Sequence, residues 1–149
     1  MTRSLTAALA TLLLAACSGG RPVTATHYRP AGLLGGYSER IVEPGVWRVS
    51  GSSNGIAEMG FGRNMAMYRA AELVKAAGFS HMQILDQRGR ATMMNQRQIG
   101  ESMELVVRGA NDAAAPVDCR ARQPQLCFTA PVDEVMASLR PSLHIDPVQ

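Results

Sequence analysis

The chain has 149 residues, 46% of them hydrophobic and 18% charged, with a formal net charge of +3. That is enough for one domain with one core, at the hydrophobic content of an ordinary globular protein. The mild positive balance is too small to mark a nucleic-acid binder, and nucleic acid is not expected as a partner.

The chain opens "MTRSLTAALATLLLAAC". Arg3 forms a short positive n-region, and residues 5–16 form an apolar h-region of signal-peptide length. A transmembrane helix needs about 20 apolar residues, so a permanent span is not expected here. Residues 1–16 therefore read as a signal peptide. Its end, Leu14-Ala15-Ala16-Cys17, resembles a bacterial lipobox. That resemblance implies cleavage before Cys17 and acylation of Cys17, palmitoyl chains included. The alternative is an ordinary signal peptide cut after Ala16, with Cys17 incidental. The small residues before Cys17 and the "SGG" after it favour the lipid. Each buried methylene contributes about 0.8 kcal/mol, so two or three chains anchor permanently. Acidic residues after the cysteine retain familiar lipoproteins at the inner membrane. Ser18 stands there instead, which implies the periplasmic face of the outer membrane, the inner membrane being the alternative. Cleavage would leave about 130 residues and, with Arg3 gone, a net charge of +2.

Residues 17–36, rich in Gly, Pro and Thr, read as a lipidated N-terminus and flexible tether. Eighteen such residues have a root-mean-square reach of roughly 23 Å. Residues 37–42 and 46–51 flank Glu43-Pro44-Gly45, the chemistry of a hairpin turn. Trp47 and Val49 share one face of the second strand, expected to be its core face. Ser52, Ser53 or Asn54 could cap the following helix. Met65, Tyr68, Ala71 and Val74, widened by Met67 and Ala70, give a helical stripe over residues 65–77, and Gly78 supplies a stop. Gly60 and Gly62 weaken any earlier turn. Residues 80–86 read as a strand. Residues 87–100, polar and Arg-rich, read as a long loop. Met103, Leu105 and Val107 alternate with polar residues over a strand at 101–109. A loop of small residues at 111–116 and a short strand at 126–129 follow. Thr129 could cap a short helix with Pro131 near its start and Asp133 and Glu134 in its first turn. Pro141 would end it, leaving residues 141–149 as a loose tail. The order β-β-α-β-β predicts an α+β domain at 37–140, with an antiparallel sheet packed by one amphipathic helix and a short C-terminal helix.

"GGYSERIVEPGVWRVSG" followed by "RAAELVKAAGFSHMQILD" resembles a family of small lipoproteins of Gram-negative bacteria whose function is not established. Members share a Gly-Gly-Tyr-Ser opening and an Arg-Ala-Ala-Glu-Leu helix leading to a strand that ends in Asp. Gly60 and Gly62 depart from that pattern. The resemblance implies an envelope address and brings no catalytic residue.

In an oxidising periplasm the two remaining cysteines, Cys119 and Cys127, are expected to form a disulfide. The segment between them holds no further soft or imidazole ligand for a metal. Met65, Met67, Met93 and Met94 with His27, His81 and His144 could suggest copper, but no ligand spacing supports it. "GFGRN" at 60–64 is half of a phosphate loop, and fits better as a glycine-allowed approach of helix to sheet. Arg69 and Glu72 sit three apart on the helix, as an ion pair would. A hydrolytic pair would need Glu72 with Asp86. Arg88, Arg90 and Arg97 are the candidate partner-binding residues, suited to lipid phosphates or anionic envelope polymers. No Ser, His and acid stand in a nucleophile motif. The expectation is a non-enzymatic envelope component without cofactor or metal, docking an envelope protein or cell-wall partner. A small-ligand or copper-binding protein, or an envelope-polymer hydrolase, is the alternative.

Overall fold

The alternation of Met103, Leu105 and Val107 makes the strand that carries them the centre of the sheet. The computed structural model describes residues 25–146. In it β1 (Gly35–Glu43) and β2 (Val46–Asn54) form a hairpin, and α1 (Phe61–Ala76) crosses to β3 (His81–Met94). The chain returns as β4 (Arg97–Ala110), then gives the short β5 (Phe128–Pro131) and the helix α2 (Val132–Leu139). The strand order is β1-β2-β4-β3-β5, every pairing antiparallel. The β2–α1–β3 connection thus skips one place, which β4 fills, a split β-α-β unit. The domain is α+β, as the element order implies. The signal peptide, Cys17 and residues 147–149 lie outside the described residues.

One face of the sheet meets α1. Val49, Met82, Ile84, Leu105 and Val107 pack on Ala66, Met67, Ala70, Ala71 and Val74, closed at one side by Val132. Trp47 joins this cluster half-buried, so it lies on the face assigned to it. Small residues let the helix approach closely. A side chain at Gly51 in β2 would meet the Ala66 backbone nitrogen at 2.8 Å. Gly78, at φ +86°, ends the helix as its composition predicts, its N–H donating to the Lys75 carbonyl.

Several local expectations are corrected. Residues 87–100 are the outer halves of β3 and β4, joined through Asn95 and Gln96, both at positive φ as a type I′ turn requires. They are exposed on both faces there, so no apolar alternation marks them. Ser52–Asn54 belong to β2, and α1 begins at Phe61. Thr129 lies in β5, and Pro131 precedes the first turn of α2. The segment expected to be a tether is fastened from Thr26 onward, and the tail is held through Leu143, each 2% exposed. The reason is the outer side of α1, where Phe61, Met65 and Tyr68 need cover, which Tyr28, Tyr37, Leu143 and Ile145 supply.

The opposite face has a smaller core, Val46, Leu85 and Val106, roofed by the chain around Val117. Leu85 reaches it because a bulge interrupts β3 between Ile84 and Asp86. The roof is tied down three ways. Gln83 donates to the Ala115 carbonyl at 3.0 Å. Arg120 holds both Glu43 oxygens, at 2.8 and 3.2 Å. Cys119 and Cys127 form the expected disulfide. Reduction should lower unfolding stability by roughly 2.5 kcal/mol on the chain-entropy account. Urea midpoints with and without dithiothreitol check this, and coincident midpoints would contradict it.

Candidate functional site

Beyond the roof, the helix-free face of the sheet lies open. Register places Arg40 opposite Arg48, Ser38 opposite Ser50, Ser50 opposite Glu104, and Glu104 opposite Arg88. Directly paired residues share a face. Arg90 follows two residues after Arg88, opposite Ser102. Four arginines from three strands, interleaved with Ser38, Ser50 and Ser102, therefore point one way. Two are balanced locally: Arg48 contacts Glu104 at 3.2 Å and Arg88 contacts Asp86 at 2.9 Å. Among the described residues, Arg40 and Arg90 form no ion pair. A recess of about 340 Å³ between Ser50, Ser102, Glu104, Arg88 and Arg90 marks the middle of this face.

The structure thus brings Arg88 and Arg90 together on a strand rather than a loop. Arg97 is not with them: it lies past a second β3–β4 irregularity, at the hairpin tip. Arg40 and Arg48 face each other in the β1–β2 hairpin and were missed, because they meet Arg88 and Arg90 only through the pairing of β2 with the distant β4 and of β4 with β3. Their shared alternation with serine is the signal that could have found them.

The "GFGRN" segment has its own anion. The Glu101 carboxylate of β4 accepts the Gly62 N–H at 2.7 Å and the Gly60 N–H at 3.1 Å. The N-terminus of α1, which has no cap and no acidic residue in its first turn, is satisfied by this distant strand. The glycine approach is as the sequence suggests.

Glu72 and Asp86 are not brought together. Asp86 pairs in register with Val106, on the side of the sheet away from α1. Glu72 is engaged on α1, where Arg69 bridges it at 2.9 Å to Glu39 at 2.8 Å while covering the Tyr37 ring at 4.8 Å. The Tyr28 hydroxyl donates to Glu72, and its ring stacks near Tyr37 and Tyr68. Burial first, then the hydrogen bond and charge of Glu72, push the Tyr28 phenol well above its ordinary value. This clasp holds the N-terminal segment on α1.

The clasp has a pH signature. The unfolded phenol ionises near pH 10 while the folded one stays protonated, so its stabilisation is complete below about pH 10 and lost above it. Tyr28→Phe should cost about 1–2 kcal/mol at pH 7. Denaturant titrations from pH 7 to 11 should show the gap between wild type and variant closing above pH 10. Parallel curves throughout would contradict the clasp.

The sulfur and imidazole candidates are scattered. Met65 and Met67 lie in two different apolar clusters, and Met93 and Met94 at the exposed hairpin tip. His81 contacts Ser80. Among the described residues no three His, Cys, Asp or Glu side chains are grouped to hold a metal, and no helix is long and apolar enough to cross a membrane. No protein-family model, curated protein or solved structure matches the chain.

Proposed function

We propose that this protein is a lipid-anchored envelope lipoprotein that acts by binding, its open sheet face docking an anionic cell-wall or envelope-protein partner. One observation carries the reading: four arginines converge on an uncovered face, and among the described residues Arg40 and Arg90 have no carboxylate of their own. A rigid sheet is a better platform for such recognition than a loop, since its side chains lose less freedom on docking. Arginine suits the role, as its planar fork matches carboxylate and phosphate. The acid pair a hydrolase would need is not assembled, which favours binding over turnover. The anchor is Cys17, and Ser18 argues for the outer membrane, periplasmic face.

Two measurements test this. Cys17→Ser should abolish fatty-acid labelling and change membrane fractionation; a variant still labelled and processed would end the lipoprotein reading. Retention of the wild-type protein on cell-wall and envelope fractions should fall steeply between 50 and 300 mM salt. Arg40→Glu with Arg90→Glu should weaken it at least tenfold, without changing the urea midpoint. Unchanged retention in that variant would refute the arginine face as the docking site.

A further inference from the structure

The end of the sheet where β2 stops and β4 starts gathers apolar side chains into solvent. Among the described residues eight large hydrophobic side chains are exposed, and six are here: Leu33, Ile56, Met59, Met93, Met94 and Ile99. Met59 is 87% exposed and Met94 58%. They form one end rather than scattered positions. Ile56, Met94, Ile99 and Arg97 line a single recess of about 500 Å³. Leu33 lines another with Thr92 and Ile99. The Gly55 backbone lies against Ile99, where an added side chain would meet the Ile99 Cα at 2.8 Å. An apolar patch of this kind, gathered at one end, needs an explanation that single exposed residues do not.

The N-terminal chain supplies it. Thr26 is buried at this same end. Its hydroxyl accepts the Asn54 N–H at 2.9 Å and donates to the Leu34 carbonyl. The described residues therefore begin at this end of the sheet, beside Asn54 at the close of β2. From Cys17 to Ala25 is eight residues. Whatever their conformation, they span at most about 29 Å. Thr26 is bonded to Asn54, the partner of Gly100, and the Gly45 turn at the opposite end is bonded to Gly109, roughly 30 Å away along β4.

We propose that this end is a membrane-seating surface. Met94, Met59, Ile56 and Ile99 enter the headgroup–acyl boundary of the bilayer that carries the chain's own lipid anchor, and Arg97 meets its phosphates. The proposal rests on the anchoring of Cys17 given above. Methionine and isoleucine flanked by arginine are the chemistry of interfacial insertion, and anionic lipid strengthens it. Glu58, beside Met59, and Glu101, engaged with the Gly60 and Gly62 N–H groups, are the acidic residues lining the neighbouring recesses. Seating this end sets the strands upright on the membrane and turns the arginine face sideways, toward a partner in the periplasm.

The test uses the full-length lipoprotein reconstituted into vesicles of phosphatidylethanolamine and phosphatidylglycerol. With Cys17 acylated and Cys119 bridged to Cys127, a new cysteine is the only free thiol. Met94→Cys and Ala113→Cys each receive a bimane label, and nitroxide-labelled lipid serves as quencher. Emission from position 94 should fall at least twofold, with position 113 unchanged, and Ile56→Glu with Ile99→Glu should release the quenching at 94. Equal quenching at both positions overturns the proposal. So does a label at 94 shielded from both nitroxide lipid and aqueous iodide, which would mean that a protein, such as a second copy, covers this end. Mass spectrometry of the N-terminal peptide separates the two readings. An unacylated Cys17 overturns anchoring and seating together, whereas an acylated chain without quenching at 94 overturns seating alone.

Discussion

Gly51→Ala should destabilise the domain by about 3 kcal/mol or more, against a total of roughly 5–15 kcal/mol for a domain of this kind. The added methyl would meet the Ala66 backbone nitrogen at 2.8 Å and the Gly62 carbonyl oxygen closer still. Both are backbone atoms, so no rotamer change relieves the clash. The helix must lift off the sheet, and Ala66 and Ala70, both fully buried, lose the contacts that seat it. The melting temperature should fall by roughly 10–20 °C. Gly32→Ala is the control, since a methyl there meets nothing within 4 Å. Comparable urea midpoints for the two variants would show that α1 does not rest on β2 at this point.

Gly51 also shows what the sequence makes legible. The α+β class, the β1–β2 turn, the Met65–Val74 stripe and its Gly78 stop, and the disulfide all follow from local chemistry: periodicity, turn residues, a cysteine pair expected to meet an oxidising compartment. Each of these signals lies within about one element's length. The outer β3–β4 hairpin was not legible, because Arg88 to Ile99 extend beyond the helix and no buried face imposes alternation. Asn95 was its one turn signal, and Gln96 is an unusual residue for the second left-handed position. The fastening of Thr26 and Leu143 was hidden for a different reason. Short covering segments carry no period of their own, and their burial is set by the outer side of α1. Of the three candidate arginines, Arg88 and Arg90 fell together because they are two apart on one strand. Arg40 and Arg48 joined them only through strand pairing, a relation no local reading contains.

The same non-local logic governs the start of α1, and Glu101→Ala should reveal it. Gly60 precedes the helix in the left-handed region and has no side chain to cap with. The first N–H groups are therefore orphans unless another element serves them. Glu101, forty residues away, takes two of them and places a negative charge at the positive end of the helix dipole. Charge-assisted hydrogen bonds of this kind contribute about 1.5–3 kcal/mol each when buried, and these are partly solvated. Removing both should cost about 2–3 kcal/mol. Glu101→Gln keeps one acceptor and should cost about 1 kcal/mol. The loss should be local first: amides at residues 61–64 should exchange faster than those at 70–74, since fraying the first turn uncovers Phe61 before it disturbs Val74. If Glu101→Ala leaves both the midpoint and these exchange rates unchanged, the carboxylate is a bystander. The glycine-rich turn would then be held by its packing against Gly51 alone.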